Sequence, residues 1–335
     1  MVGAEQVAGG PYFDDLAVGQ VYDRAPAMTL TEGSATVHQS VVGDRLRLAL
    51  DRTLSQRVTG QSEGFAHPAL VWDLAIGQST LVTHHVKANL FYRGLVFRRA
   101  PVLGDTLRTT TEIAGLRQNR PRPGRDATGL AALRITTVDQ HDRPVLDFWR
   151  CAMLPLRDPE ATTGHADDLD EIGAQPGTFD AAVDGWRLDE FRAVTGGSDL
   201  PELSAGASWR VAGGDVVSAA PELARSTLNI AAVHHDATAG GGGRLVYGGH
   251  TIGIALGQAC RALPNLVTVV GWHGCDHTGP VREQDTLSSS VSVEAVEPRE
   301  RGGALVHLRS VVTAVDDRDP EPREVLDWRY VALFA

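Results

Sequence analysis

The sequence predicts an α+β fold made of two copies of one unit, each a long central helix wrapped by an antiparallel sheet. One apolar helix pattern occurs in each half of the chain, and strand-like runs follow it. Short matches recur at a constant spacing of 180 residues: 75–78 match 255–258, and 145–147 match 325–327. Matches at one offset indicate a tandem duplication. Two such units are expected to pack as an intramolecular pseudo-dimer.

Composition excludes several classes of protein. The 335 residues are 42% hydrophobic and 22% charged, which is normal for a globular protein, and the net charge is −11. An acidic chain is a poor partner for nucleic acid or a membrane surface, because both need a basic face. No apolar run approaches the roughly 18 residues that span a bilayer. The N-terminus lacks a secretory pattern, so we expect a cytoplasmic location. The three cysteines are too scattered for a metal site or disulfide framework.

The first unit begins with an edge segment over 11–24. A Thr/Glu start predicts a short helix over Thr31–Val42, and a polar loop is expected from there to about Gly64. Apolar positions at helical spacing then predict the central helix over His67–Thr83. Four strand-like runs follow the helix, at Ala88–Phe91, Thr106–Glu112, Ala131–Val138 and Val145–Leu154.

An acidic segment rich in Gly, Ala, Thr and Pro separates the two units. It has little periodicity, which is typical of a linker. We therefore predict an N-terminal domain over 1–157, a linker over 158–185 and a C-terminal domain over 186–335.

The second unit carries the stretch with the clearest chemistry. A polar loop holds Asn229, His234 and Asp236, and a flexible glycine segment is expected at 240–243. A strand-like run at 245–247 then leads into a helix that starts at Gly248 and Gly249 and is stopped by Pro264. The free N–H groups at such a helix start can stabilise a developing oxyanion.

Several separated motifs resemble those of MaoC-type hydratases, which have a double hot-dog fold. Residues 101–107, Pro-Val-Leu-Gly-Asp-Thr-Leu, resemble the turn and strand after their helix, and 13–19 resemble their N-terminal entry. The His-x-Asp unit at 234–236 and Leu-Val-Tyr-Gly-Gly-His at 245–250 resemble their hydratase motif and the helix after it. Within that family, the two-domain layout is most similar to the mesaconyl-CoA (2-methylfumaryl-CoA) hydratases, also called β-methylmalyl-CoA dehydratases.

The motif of this family implies an aspartate, a histidine five positions later and an Asp or Asn two further on. In the second half His234 and Asp236 match, but Asn229 stands in place of the aspartate. In the first half Asp44 and Asp51 match, but Ala49 replaces the histidine. Neither half carries the complete pair.

The resemblance implies reversible hydration of an enoyl-CoA thioester, with mesaconyl-CoA as the expected substrate and methylmalyl-CoA as the product. This chemistry needs a base for water, an acid for the α-carbon and donors to the enolate oxygen. We assign water activation to His234, with Asn229 holding the water or thioester, and the enolate contact to the N–H groups of Gly248 and Gly249. Asp44 is either a remnant that shapes the binding site, which we favour, or a working acid.

Substrate contacts are expected from residues near these motifs. Tyr247 and His250 are candidates for lining the acyl pocket, although each also suits a packing role. Cationic side chains are needed for the phosphates of CoA. The densest basic group is Arg93, Arg98 and Arg99, and a second group lies at Arg120, Arg122 and Arg125; a solvated surface is the alternative for both. We expect no cofactor or metal besides the CoA substrate, and a homodimer.

Three other functions stay open at this point. The chain could be a MaoC-type hydratase for another 2-enoyl-CoA. It could be a hot-dog acyl-CoA thioesterase, in which case Asp44 would activate water in place of His234. It could also be a non-catalytic acyl-CoA-binding protein.

Overall fold

The computed structural model describes residues 8–174, 177–195, 203–240, 243–316 and 319–335. Two short 3-10 helices occur in the first half, at Phe13–Asp15 and Ser79–Leu81. The other elements of this half are β1 (Val21–Tyr22), β2 (Met28–Thr29), α1 (Glu32–Val42), α2 (Arg47–Leu50), α3 (Arg52–Thr59), α4 (Pro68–Gln78), β3 (Ala88–Phe97), β4 (Thr106–Gln118), β5 (Thr128–Val138) and β6 (Pro144–Pro155).

The second half repeats this order with few changes. Its 3-10 helices are Ala181–Val183 and Ala232–His234. Its other elements are α5 (Leu188–Thr195), β7 (Ser208–Arg210), β8 (Asp215–Val216), α6 (Ala220–Ser226), α7 (Gly248–Ala262), β9 (Leu266–Asp276), β10 (Thr286–Pro298), β11 (Ala304–Asp316) and β12 (Asp319–Phe334). Helices α4 and α7 start 180 residues apart, as do strands β4 and β10, so the predicted repeat holds in the structure.

The twelve strands of the described residues form one antiparallel sheet that runs through both halves. Its order is β1-β4-β5-β6-β3-β9-β12-β11-β10-β7, with β2 on β4 and β8 on β10. The halves join where β3 pairs with β9, with Tyr92 opposite Cys275 and Leu95 opposite Trp272. The central helices α4 and α7 contact each other and the sheet. This is the predicted α+β double hot-dog architecture.

The two central helices are buried because nearly all of their positions are apolar or small. Every residue of α4 is buried, and in α7 the buried run extends from Gly249 to Cys260. A helix that is apolar all round belongs in a core. Helix α4 starts at Pro68, and the Nδ1 of His67 caps it by accepting the Ala69 N–H at 3.1 Å.

An aromatic cluster at the centre of the core ties the halves together. The ring centroid of Trp72, in α4, lies 4.8 Å from that of Trp272 and 6.1 Å from that of Trp328. All three pairs meet edge to face, the orientation that the aromatic quadrupole favours. Because Trp72 comes from the first half and its partners come from the second, the halves share one core.

Two local predictions need correction. The segment expected as a polar loop up to Gly64 forms α2 and α3, because Asp51 caps α3 at the Leu54 N–H while Leu54 and Val58 face the core. The strand-like run 245–247 is not a strand: the N–H groups of Leu245 and Val246 bind the carbonyls of Val233 and Val281. The predicted helix over Thr31–Val42 is confirmed as α1, with Thr31 as its N-cap.

Most of the described part of the segment predicted as a linker lies along the outer side of the first-half sheet. Leu169 and Ile172 pack there on Phe91 and Cys151. The Asp167 carboxylate accepts the Leu116 N–H at 2.8 Å. This segment therefore covers apolar surface that the central helix does not reach. Residues 175 and 176 lie outside the described part.

The glycines of α1 and α4 generate a matched stability prediction. A methyl group on Gly77, in α4, would collide with the Thr227 carbonyl oxygen, whereas on Gly33, in α1, its nearest neighbour would be the Thr31 hydroxyl at 3.6 Å. Gly77→Ala should lower the free energy of unfolding by about 1–3 kcal/mol through overpacking. Gly33→Ala should raise it by up to about 1 kcal/mol because Ala favours a helix. Urea unfolding of both variants measures the two changes in the free energy of unfolding. Equal changes would refute the close contact between Gly77 and the Thr227 carbonyl.

Candidate active site

A cavity with a volume of about 340 Å³ lies between the two halves of the molecule. The first half contributes polar side chains from the segment that follows α4, from β3 and from β6. The second half contributes the motif loop, the start of α7 and the end of β9. The polar or glycine residues lining it include Thr80, Thr83, Asn89, Tyr92, Arg150, Asn229, His234, Tyr247, Gly248, Thr251 and His277. The site is therefore composite, and neither half forms it alone.

The motif loop of the second half is docked on α4 of the first half and on the 3-10 helix that follows it. The Thr80 hydroxyl accepts the Ile230 N–H at 3.0 Å. The chain turns sharply at Leu228, which has a positive φ of 60°, and the Asn229 N–H binds the Ala224 carbonyl at 2.9 Å. The Asn229 Oδ1 accepts the Ala231 N–H at 3.0 Å, which leaves the amide NH2 as the donor of that side chain.

His234 is held in the tautomer that suits a base. Its Nδ1 lies 2.9 Å from the Leu245 carbonyl oxygen. A carbonyl can only accept, so Nδ1 carries the proton and Nε2 has the free lone pair. Enclosure in the cavity lowers the pKa of His234 to about 4, despite the opposing hydrogen bond to Leu245. The imidazole is therefore neutral at pH 7.

A buried polar network from the first half fixes the wall beside this histidine. The Tyr247 ring meets the His234 ring edge to face at 5.7 Å. The Tyr247 hydroxyl donates to Asp73 Oδ1 at 3.0 Å, and the Nε2 of His38 lies 3.1 Å from Asp73 Oδ2. Burial and the adjacent Asp73 carboxylate raise the pKa of Tyr247 well above its usual value, so the phenol stays protonated. Asp73 thus orients Tyr247 across the boundary between the halves.

Arg150 is a buried cation in the cavity wall. It lies in β6 and is 4% exposed, and its Nη2 donates to the Thr83 hydroxyl at 2.5 Å. No carboxylate of the described chain pairs with it, and its Nε has no hydrogen-bond partner there. Burial raises the pKa of the neighbouring Tyr92 to about 12, although the Arg150 charge opposes that shift. An unpaired buried charge is costly, so this guanidinium is expected to have an anionic ligand.

A second neutral histidine lines the cavity. His277 packs against Gly248, where any side chain would strike its ring, and lies edge to face with Tyr92 at 6.0 Å. Burial, together with His234 nearby, lowers the pKa of His277 to about 4. No Asp or Glu is among the described residues that line the cavity. The site therefore combines two cations, the buried Arg150 and the exposed Lys87, with neutral imidazoles and with hydroxyl and amide donors.

Comparisons with known proteins agree with this architecture. The family model described as mesaconyl-CoA hydratase matches residues 3–289. The chain belongs to the mesaconyl-CoA hydratase family. It is therefore an enzyme, a hydro-lyase of the hydratase or dehydratase type that acts on CoA thioesters.

Three relatives illustrate the relationship to this family. A double hot-dog protein from Mycobacterium tuberculosis, described as conserved, hypothetical and essential for survival during infection, is 55% identical, with a TM-score of 0.90 over 97% of this chain and 98% of that one. The β-methylmalyl-CoA dehydratase of Chloroflexus aurantiacus is 28% identical over 97% of each chain. A MaoC domain protein from the same organism is 25% identical, with a TM-score of 0.83 over 99% of each chain.

The structure brings four of the predicted site residues of this family member together. Asn229, His234, Tyr247 and Gly248 all line the cavity. Gly248 is the first residue of α7, where N–H groups have no partner within the helix. Gly249 is not a lining residue: it faces Asp73 and the Tyr247 ring so closely that only glycine fits.

Three other predicted residues lie elsewhere. Asp236 is exposed, and its carboxylate accepts the N–H and hydroxyl of Thr238 at 2.8 Å. His250 is fully buried within α7, and burial, with His38 nearby, lowers its pKa to about 4.

Asp44 is buried, with its carboxylate 2.8 Å from the Nε2 of His67, and it lines a separate cavity. Burial opposes the ionisation of Asp44, but the neighbouring His67 and the Leu46 N–H together lower its pKa.

The first of the two arginine groups predicted as candidates for binding CoA has protein partners. The Arg93 guanidinium donates to backbone carbonyls, among them that of Asp170 at 2.9 Å, and stacks over the Phe91 ring. Arg98 lies 3.5 Å from Asp147. Arg99 bridges Asp105 at 3.1 Å and Asp139 at 2.7 Å. None of the three is among the residues lining the cavity.

Two further observations concern metal sites and membrane-spanning helices. Within the described ranges, no group of three or more His, Cys, Asp or Glu side chains is arranged to hold a metal ion. No described helix is long and apolar enough to cross a membrane.

Sequence reasoning missed Arg150 and His277. A signal for Arg150 was present, because it interrupts the apolar series of alternate inward positions in β6, formed by Leu146, Phe148, Ala152 and Leu154. A charge at such a position is a functional candidate. His277 had no comparable signal, since its proximity to Gly248 arises from the packing of β9 beside α7.

The buried histidines predict a steep acid dependence of stability. His234, His250 and His277 have pKa values near 4 when folded, against 6.5 when unfolded. The unfolded chain therefore binds more protons between these values, so stability is full above pH 6.5 and falls as the pH drops toward 4. We expect a loss on the order of 1 kcal/mol per pH unit from each group. Urea unfolding at pH 7, 6 and 5 measures it; no change across this range would contradict the neutral assignment.

Proposed function

We propose that this enzyme reversibly hydrates an enoyl-CoA that carries a free carboxylate on its β-carbon, with mesaconyl-CoA as substrate and β-methylmalyl-CoA as product. The observation that carries the proposal is the unpaired guanidinium of Arg150 in the same cavity as His234 and Asn229. The 28% identity to a β-methylmalyl-CoA dehydratase over nearly the whole chain supports the same substrate.

The cationic wall suits the charge of this substrate. In 2-methylfumaryl-CoA the distal carboxylate is bonded to the β-carbon, the atom that water attacks. A carboxylate held by Arg150 would therefore place the β-carbon close to the groups that handle water. The Arg150 charge is close enough to His234 to help lower the pKa of that histidine. This proximity fits a substrate in which the carboxylate and the β-carbon are directly bonded. Arginine binds carboxylates in a fixed, two-pronged geometry, so it would orient the double bond as well as neutralise the charge.

His234 is the proposed general base. Its Nε2 lone pair takes a proton from water while the water oxygen bonds to the β-carbon, and the electron pair of the double bond moves toward the thioester carbonyl. The amide NH2 of Asn229 donates a hydrogen bond to the attacking oxygen. Asn229 stands where relatives of the MaoC type have an aspartate, so the amide holds water and removes no proton.

The α-carbon must then receive a proton. No described residue lining the cavity carries a carboxylic acid, and both cavity histidines are neutral at pH 7. The proton removed from water by His234 is therefore the one proposed to be delivered to the α-carbon. One imidazole serving both carbons implies that hydroxyl and hydrogen add to the same face of the double bond.

The enolate oxygen is assigned to the start of α7. Gly248 lines the cavity there, and its N–H is among those that an α-helix leaves without partners. The positive end of the helix dipole favours the developing negative charge. Glycine is required at this position because His277 packs against its α-carbon.

Substitution of the proposed base tests the mechanism. His234→Gln should lower kcat for mesaconyl-CoA hydration by about 10²–10⁴-fold, the usual contribution of a general base. Asp236→Asn, two residues away and exposed, is the matched control and should retain activity. Loss of the enoyl-thioester absorbance gives the rate. Full activity in His234→Gln, with loss only in Asp44→Asn, would instead place the reaction in the separate cavity lined by Asp44. That result would favour a thioesterase.

Substrate choice tests the role of Arg150. Arg150→Met should lower kcat/KM for mesaconyl-CoA by about 10²-fold, the scale of a lost hydrogen bond to a charged group, and leave crotonyl-CoA, which lacks the carboxylate, much less affected. The variant should be at least as stable as the parent, because an unpaired buried charge is removed. Absorbance and product mass, showing addition of one water, measure both substrates. Equal losses on both substrates, or release of free CoA without hydration, would refute the proposal.

A further inference from the structure

We propose that Lys87 and the loop arginines Arg120, Arg122 and Arg125 form a binding site for the phosphate groups of CoA at the mouth of the catalytic cavity. The inference rests on the proposed function in one respect, since it assumes that the acyl end of the substrate occupies the cavity beside His234. These four cations are called the basic rim below.

The basic rim is continuous with the catalytic cavity. Lys87 lines that cavity, and it also lines two adjoining surface hollows of about 450 and 440 Å³. Arg120 and Arg122 line one of these hollows, and Arg125 lines both. Lys87 precedes β3, and its N–H binds the Met153 carbonyl of β6 at 2.9 Å. Its position at the junction is thus fixed by the sheet.

The loop that carries the arginines is anchored at its base. Asn119 donates from its backbone N–H to the Thr128 carbonyl and from its side-chain amide to the Thr128 hydroxyl, each at 2.9 Å. Within the loop the Arg125 N–H binds the Arg122 carbonyl at 3.2 Å, and Gly124 adopts a positive φ of 71°. The closed turn holds three arginines on one exposed connection between β4 and β5.

The charges of the basic rim are largely uncompensated. In the described chain, no carboxylate forms an ion pair with any of the three loop arginines. Lys87, the only lysine in the sequence, lies 3.4 Å from Asp126, and both side chains are substantially exposed. An exposed pair of this kind contributes little stability, so a phosphate can displace it. In a protein of net charge −11, such a cluster is a distinct positive feature.

Two basic groups are candidates from the sequence, and this placement favours the loop arginines over the group of Arg93, Arg98 and Arg99. Arg98 and Arg99 are held in ion pairs with Asp147, Asp105 and Asp139, so they have little capacity for another anion. The basic rim is open to solvent and borders the cavity, which suits the far end of a long ligand whose thioester lies inside. Several cations are needed there because CoA carries a diphosphate and a 3′-phosphate.

Charge reversal with a truncated ligand tests the site. The variant Arg122→Glu/Arg125→Glu should weaken the binding of free CoA, measured by calorimetry, at least 10-fold, and should reduce the dependence of the Kd on salt. Binding of pantetheine, which lacks all phosphates, should be unchanged. The control is Arg108→Glu at the opposite end of the β4–β5 hairpin, where Arg108 pairs with Asp142; it should leave CoA binding intact. Thermal unfolding confirms that each variant is folded.

The outcomes separate this inference from the proposed function. Unchanged CoA affinity in the double variant would refute the proposed phosphate site at the basic rim, even if mesaconyl-CoA is hydrated. Equal affinity of the parent protein for CoA and pantetheine would refute it as well. Weakened CoA binding without loss of pantetheine binding would support the rim even if no enoyl-CoA is hydrated, because calorimetry needs no turnover.

Discussion

The close approach of Gly77 to the Thr227 carbonyl is the contact on which the active site depends. It allows the motif loop of the second half to lie directly on α4 of the first, and in the 3-10 helix after α4 the Thr80 hydroxyl accepts the Ile230 N–H. Asn229 and His234 follow in that loop, so their positions relative to Thr83 and Arg150 derive from this packing. The site therefore lies between two buried helices and one continuous sheet.

The duplicated halves have diverged into different roles. Positions related by the repeat carry different chemistry: Thr80 and Thr83 correspond to Cys260 and Leu263, and Arg150 corresponds to Tyr330. Tyr330 is stacked on Trp328 and serves the core, whereas Arg150 faces the cavity. In the other cavity the Asp44 carboxylate lies 2.8 Å from the Nε2 of His67, and Ala49 stands in the place of His234. The first half therefore contributes to the site of the second, and its own motif has become a buried pair.

The catalytic cavity holds one buried charge, on Arg150, among several neutral groups, and the exposed Lys87 is the other cation of its lining. Burial keeps His234 and His277 neutral and Tyr92 and Tyr247 protonated, while Arg150 stays charged because guanidinium does not lose its proton. An anionic substrate would complete the charge balance. Binding and chemistry are thereby linked, since the ligand that neutralises Arg150 is placed beside the base.

The sequence by itself determined the repeat, the α+β double hot-dog class and the loop that holds Asn229 and His234, because periodicity and motif spacing are local properties. It could not assign the roles of Arg93, Arg98, Arg99 or His250, whose partners are distant in the chain. Only the tertiary structure placed Arg150 and His277 beside the motif loop, through the packing of β6 and β9 around α4 and α7. A composite cavity depends on how two domains meet, and that geometry is not encoded in the spacing of residues within either one.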